Sequence, residues 1–317
     1  MVEVVKKFKL ILINTLIFIT ILFVIEGIIW INENEALRKL GGLDKNNQYY
    51  AFHPGIKKFY LDLNSFPKIN KGYEYGRQPV GLEYNKKPIV IFGCSYAYGQ
   101  GLNSNQTLSY KLSHQAKVPA YSRSHSGWGI QHMLYQVEKP LFYEKVPEPS
   151  HAIYVYIPDH MNRLYFHSFI LFDTLIEKFN LRYKEKNGEL QEVKHDNFLF
   201  NQIQRLYIIN KINQYIVINT PKGSKQYDFA LKHFIVAKEK MQEQWKNTKY
   251  VVIFYTAKKE DVYLKKKLEE NDFIILDADE MANKNLRDNE YMSRDYHPTE
   301  EAWDLLTPLI VEKLELK

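Results

Sequence analysis

The sequence predicts an α/β domain, a three-layer parallel sheet with helices on both faces, preceded by an N-terminal transmembrane helix and interrupted by an insertion. Three observations predict it. Short runs rich in β-branched residues (Pro88–Phe92, His151–Ile157, Tyr250–Tyr255) read as strands buried on both faces. They alternate with segments of helical periodicity, the rhythm of a parallel sheet. Ahead of them, Leu10 to Ile31 is almost wholly apolar.

A chain of 317 residues holds one large α/β domain or two small ones. With 45% hydrophobic and 25% charged residues it has the balance of a folded, globular chain. Its net charge is +6, but the lysines are scattered, with no basic run beyond groups such as Lys265-Lys266-Lys267. These read as solvated helix faces, so no nucleic-acid partner is expected. The single cysteine, Cys94, excludes an intramolecular disulfide and a multi-cysteine metal site. No histidine spacing suggests a metal or other cofactor.

The apolar stretch Leu10–Ile31, about 22 residues, is long enough for a helix to cross about 30 Å of hydrocarbon. Asn14 and Glu26 interrupt it, and Glu26 is close enough to one end to reach the interface. Lys6, Lys7 and Lys9 precede it, which places the amino terminus in the cytoplasm and the rest of the chain outside. Arg38 and Lys39 on the far side weaken that orientation. Small residues of a cleavage site do not follow in Trp30-Ile31-Asn32-Glu33, so residues 1–32 are expected to remain as a single-pass anchor. Residues 33–87, broken by Gly41-Gly42, Pro54-Gly55, Pro67 and Gly72, read as a linker and membrane-proximal segment.

From Pro88 to the carboxyl end at residue 317 the α/β pattern runs in order. The first strand stops at Gly93, followed by Cys94, Ser95 and a turn with Gly99 and Gly101. A hydroxyl at the carboxyl end of a central strand stands where open α/β sheets place their ligands; the plainer alternative is that Ser95 caps a turn. Thr107–Gln115 is a predicted helix and Ala120–Ser124 a short strand, ending at Ser126-Gly127-Trp128-Gly129. A helix is predicted over Ile130–Gln136, then the strand His151–Ile157. Residues 164 to 224, irregular and aromatic, read as an insertion. Tyr227–Asn247 and Lys258–Glu269 are predicted helices, and Phe273–Leu276 a strand. Near the end, Thr299 is a natural N-cap, and Glu300-Glu301 suit the first helical turn. Ala302, Leu305, Leu306, Leu309 and Ile310 would form its apolar face, and Pro308 should kink it. Asp295 and His297 lie in the loop just before this helix.

Together these pieces resemble the SGNH (GDSL-like) hydrolase and acyltransferase superfamily, whose sheet is flavodoxin-like. The resemblance covers roughly residues 88 to 314 apart from the insertion, and the anchor is similar to that of envelope members. Gly93-Cys94-Ser95-Tyr96 matches the block around the nucleophile, Ser126-Gly127-Trp128-Gly129 the second block, and Asp295 with His297 the last. Two positions depart from the pattern. Cys94 stands where the family usually has Asp. Ile157-Pro158-Asp159-His160 stands for Gly-x-Asn-Asp, so the oxyanion-donating Asn is replaced by Asp159. A carboxylate cannot donate and would oppose a developing oxyanion. Either His160 or Asn162 donates instead, Asp159 is protonated, or two backbone N–H groups suffice.

The resemblance implies acyl transfer through an ester on Ser95. His297 would take the Ser95 proton and return it to the leaving alcohol, Asp295 would orient the imidazole, and the N–H groups of Ser95 and Gly127 would form the fixed oxyanion hole. His125 and His132 could reach the site but read as polar packing residues. The expected activity is that of a membrane-anchored serine esterase acting on acyl esters of an envelope glycan or lipid. Two alternatives are an O-acyltransferase modifying a cell-surface polysaccharide and a non-catalytic envelope protein of the same fold.

Overall fold

The computed structural model describes residues 77–165, 183–192, 223–294 and 296–316, with Tyr49–Tyr50, Tyr60–Leu61 and positions 14, 17, 20, 21 and 24. The chain divides into two compact units. One comprises Met1–Phe52, Lys57–Leu63 and His195–Ile216; the other comprises His53–Ile56, Asn64–Lys194 and Val217–Lys317. In the first, Tyr49–Tyr50 pairs antiparallel with Tyr60–Leu61, and Asn14, Ile17, Thr20, Ile21 and Val24 are helical and exposed. The rest of the predicted span Leu10–Ile31 lies outside the described residues. Among the described residues no helix is long and apolar enough to cross a membrane.

The second unit carries a five-stranded sheet: β1 (Ile89–Gly93), β2 (Ala120–Ser124), β3 (His151–Tyr156), β4 (Lys249–Phe254) and β5 (Ile274–Asp277). Its order is β2-β1-β3-β4-β5, every pair parallel. The helices are α1 (Ser95–Tyr98), α2 (Leu108–Ala116), α3 (Ile130–Val137), α4 (Pro140–Lys145), α5 (Asp159–Tyr165), α6 (Ser224–Gln244), α7 (Val262–Glu269), α8 (Ala278–Ala282) and α9 (Glu300–Lys313). Alternate residues of the central strands enter opposite layers, as the two-residue period of a strand requires. Ile89, Ile91, Ile153 and Val155 pack with Leu108 and Leu112 of α2 and Trp303, Leu306 and Ile310 of α9. Val90, Phe92, Tyr154 and Tyr156 pack with Ile130 and Leu134 of α3, Phe234 and Met241 of α6, and Leu264 and Leu268 of α7. Past their first residues the central strands are hydrophobic because both faces are covered. The edge strand β2, A-Y-S-R-S, instead alternates buried and half-buried residues.

The predicted strands match within one residue at each end, and α2, α3 and α6 fall where the periodicity places them. Three differences have local causes. The 258–269 segment opens with a 3₁₀ turn at Lys259–Asp261 before α7 begins. Helix α6 starts early, at Ser224, and ends at Gln244, because Trp245 leaves the helical conformation to enter the core. The buried stripe of α9 is Ala302, Trp303, Leu306, Thr307, Ile310 and Val311, turned from the predicted one, so that Leu305 and Leu309 are only half-buried. Pro308 does not break α9. The carbonyl of Asp304, which loses its intrahelical donor there, belongs to a residue exposed to water. Of the 164–224 insertion, the described part is a hairpin pairing Tyr183–Lys186 with Glu189–Glu192. Of the 33–87 linker, residues 77–87 include Val80, which bridges Ala120 at the start of β2.

Strand β1 has β2 on one side and β3 on the other, so the loops leaving β1 and β3 diverge at their carboxyl ends. That divergence opens the crevice in which doubly wound sheets bind ligands.

Candidate active site

Ser95 enters this crevice because of the two residues before it. Gly93 has φ +146, and a Cβ there would lie 2.9 Å from the Ala97 Cβ and 3.0 Å from the Val155 carbonyl oxygen. The missing side chain lets β1 turn at once into α1, packed against β3. Cys94 is fully buried and Ser95 is 4% exposed. Ser95 is the first residue of a one-turn helix, where a backbone N–H has no intrahelical acceptor. The turn closes at Gly99, left-handed at φ +73, whose N–H donates to the carbonyls of Ser95 (2.9 Å) and Tyr96 (3.1 Å). Arg77 fastens its far side. Nε donates to the Tyr98 carbonyl at 2.6 Å, and Nη2 to those of Gly99 (2.8 Å) and Leu102 (3.0 Å), with the guanidinium 4.7 Å from the Tyr98 ring centre. Arg77 falls in the stretch read as a linker. A lone arginine there carries no periodic signal, so sequence reasoning missed it.

His297 arrives from the other end of the chain. A tight loop presents it: Ser293 donates to the His297 carbonyl through N–H and hydroxyl (both 2.8 Å) and accepts from the His297 N–H at 3.0 Å. Tyr296 sits at φ +61 in this loop, a costly conformation for a residue with a bulky side chain. As predicted, Thr299 caps α9, accepting from the Ala302 N–H at 3.3 Å; it also donates to the Glu290 carbonyl at 2.9 Å, which ties the loop back. The His297 ring lies 5.5 Å, centre to centre, from the ring of Tyr96, the residue after Ser95. Tyr96 in turn packs on Tyr255 at 5.4 Å, and Tyr255 on Trp303 at 5.4 Å. Burial raises the Tyr96 phenol above its ordinary pKa, so it stays neutral at pH 7. The structure thus brings His297 beside the Ser95 turn. Asp295 lies outside the described residues.

Gly127 occupies the turn at the end of β2, closed by the Trp128 N–H donating to the His125 carbonyl at 3.2 Å. Its φ of +79 at the third turn position is what a type II turn demands, and a Cβ there would meet nothing within 4 Å. The turn is held to the Ser95 loop by the Ser126 hydroxyl, which donates to Gln100 Oε1 at 2.5 Å, and by the His125 N–H, which donates to the Gly93 carbonyl at 3.4 Å. His125 and His132 are both buried packing groups. The His125 Nδ1 bonds the Ser126 carbonyl at 3.2 Å, and burial lowers its pKa. The His132 Nδ1 accepts from the Gly129 N–H at 3.0 Å, and its ring stacks on Trp128 at 5.4 Å.

The three candidates after β3 separate clearly. Asp159, whose side chain is 42% exposed, accepts from Asn162 Nδ2 at 3.1 Å through Oδ1 and from Arg163 Nε at 2.8 Å through Oδ2. Asn162 is half-buried with one amide proton committed to Asp159. His160 is fully buried. Its Nδ1 faces the Tyr154 hydroxyl at 3.0 Å and the Ile157 N–H at 3.4 Å, and burial, with Arg163 and His132 nearby, drives its pKa well down. No surface of His160 is open to a ligand, which sets it apart from Asn162 among the alternatives for a third donor. Among the described residues, no group of three His, Cys, Asp or Glu is arranged to hold a metal ion.

A serine-bearing turn at the switch point of a doubly wound sheet, with the His297 loop against it, is the arrangement seen here. No family model matches the chain, and no curated protein matches. Solved structures similar to it are lipolytic proteins of the G-D-S-L family and carbohydrate esterases. An acetyl xylan esterase, Est2A, from the rumen bacterium Butyrivibrio proteoclasticus is 9% identical, with a TM-score of 0.47 over 73% of this chain and 65% of that one. A member of the lipolytic protein G-D-S-L family from Veillonella parvula DSM 2008 is 12% identical, with a TM-score of 0.39 over 71% of this chain and 96% of that one. A family two carbohydrate esterase from Clostridium thermocellum, in complex with cellohexaose, is 11% identical, with a TM-score of 0.42 over 73% and 66%. At such identities and TM-scores the chemistry has to be read from this chain's own residues.

Proposed function

We propose that the protein is a serine esterase in which Ser95 attacks an acyl ester, His297 carries the proton, and an acyl-serine forms and is hydrolysed. The observation that carries this reading is the packing of the His297 ring on Tyr96, at the turn that holds Ser95. A serine hydroxyl needs a positioned base at neutral pH, and 202 residues of chain separate the two groups. The N–H groups of Ser95 and Gly127 are the fixed donors for the oxyanion, the first at a helix start and the second in the turn after β2. Asp295, two residues before His297, is assigned to orient its imidazole. The substrate is an acylated glycan or lipid of the envelope. A glycan is supported by Tyr296, 66% exposed immediately before His297, where an aromatic face suits a sugar ring. The Leu10–Ile31 stretch would hold the enzyme in a membrane, with the catalytic domain outside the cytoplasm.

The test is hydrolysis of a small acetyl ester by membranes carrying the full-length chain after a high-salt wash. Activity should stay with the membranes. Ser95→Ala and His297→Ala should each lose it by about a thousandfold or more without unfolding. Undiminished hydrolysis by Ser95→Ala would exclude the covalent route, and release of the activity by salt would exclude the anchor.

A further inference from the structure

In the resemblance drawn from the sequence, Asp159 stands where a neutral side chain would serve the oxyanion, and an uncompensated carboxylate there would slow acyl transfer. We propose that Arg163 is the positioning residue that makes this site workable, one guanidinium tying together the three loops that form the oxyanion hole and neutralising Asp159. The inference rests on the acyl-serine reading above.

Each of the three loops gives Arg163 a partner. Nη1 donates to the carbonyl of Trp128, the residue after Gly127, at 2.8 Å, which fixes the turn that presents the Gly127 N–H. Nε donates to Asp159 Oδ2 at 2.8 Å. Cys94, the residue before Ser95, lies near enough to the guanidinium to favour its charged form. Its stem has a reserved place, because a Cβ on Gly129 would come within 3.3 Å of the Arg163 Cβ and 2.7 Å of Gln131 Oε1. Gln131 Nε2 in turn donates to the Arg163 carbonyl at 3.0 Å. The side chain is only 10% exposed, so Arg163 acts through these loops and not on the substrate. In that setting its charge is poorly screened. Burial opposes the guanidinium's charge, but Cys94 and Asp159 raise its pKa, and Asn162 holds the second oxygen of Asp159. A planar fork can serve three partners in three directions; a lysine ammonium on a flexible stem cannot hold them in register. The two departures from the family pattern, Cys94 and Asp159, thus meet on one cation.

The experiment measures kcat and KM for p-nitrophenyl acetate in the wild type, Arg163→Met, Arg163→Lys and the double variant Asp159→Asn/Arg163→Met, each confirmed folded by circular dichroism. Arg163→Met strands the carboxylate beside the hole, and kcat should fall about 100-fold with KM nearly unchanged. The double variant removes that carboxylate and should recover about tenfold over Arg163→Met, a coupling that loss of packing alone would not produce. Arg163→Lys should fall between the wild type and Arg163→Met, and it carries the test if Arg163→Met does not fold. Wild-type kcat in Arg163→Lys and Arg163→Met, or a double variant no better than Arg163→Met, overturns the inference while leaving the esterase reading intact. A wild type that neither hydrolyses the ester nor reacts with a fluorophosphonate overturns the esterase reading, and the inference falls with it.

Discussion

Two aspartates stand at the same edge of the sheet in opposite circumstances. Asp159 opens α5 after β3, and Asp261 precedes α7 after β4. Asp159 is part-exposed at the crevice and paired with a cation, Arg163. Asp261 is 1% exposed and accepts from neutral donors: the hydroxyls of Tyr156 (2.9 Å) and Tyr227 (3.3 Å) on Oδ1 and the Lys258 N–H (2.8 Å) on Oδ2. Burial pushes the Asp261 carboxyl above its ordinary pKa, against the pull of those donors. One carboxylate is open to solvent and held by a cation, while the other pins α7, β3 and α6 from inside. Position at the carboxyl edge of a parallel sheet does not make an acid functional; access and the charge of its partner do.

The largest effect expected from this contrast is on stability at Asp261. Asp261→Ala leaves two tyrosine hydroxyls and an N–H without their acceptor, and should cost about 3 kcal/mol in urea unfolding, with kcat per folded molecule unchanged. A raised carboxyl pKa also fixes the sign of a pH dependence. Above the ordinary carboxylate range the unfolded chain gives up a proton that folded Asp261 keeps, so this group's contribution to stability declines as pH rises from about 4 through its raised pKa. Asp261→Asn, which cannot titrate, should therefore improve relative to the wild type across that window. A stability difference that is flat with pH would contradict the assignment. The smaller effect lies at Asp159. Asp159→Asn keeps the shape but weakens the hold on Arg163, and should lower kcat about tenfold with a shift in Tm of a degree or two at most. A rise in kcat would mean that Asp159 merely repels the oxyanion.

The sheet was legible in the sequence because its strands are buried on both faces, so Ile89 to Phe92 and Ala152 to Tyr156 are hydrophobic without interruption. The edge strand β2, with Arg123 and three serines or tyrosines, was legible mainly through its place between a helix and the Gly127 turn. Ser95, Gly127 and His297 could be picked out because each sits in a local context, a strand end, a glycine turn and a capped helix start, that the sequence spells out. The role of Arg163 could not be read, although its spacing of four from Asp159 is the signature of a helical ion pair. Its hydrogen bond to the Trp128 carbonyl crosses 35 residues of chain, and no local pattern encodes it. Arg77 escaped for the same reason. His160, one of the alternatives for a third donor, looks available beside the motif in sequence, whereas the α5 turn directs it between Tyr154 and Tyr156.

The central claim is that Ser95 is an activated nucleophile with His297 as its base. Reaction of the folded protein with a fluorophosphonate, followed by peptide mass mapping, tests it most directly. The account predicts a single adduct on Ser95, absent in Ser95→Ala and formed at least a hundredfold more slowly in His297→Ala. An adduct on another residue, or labelling of His297→Ala at the wild-type rate, would contradict it.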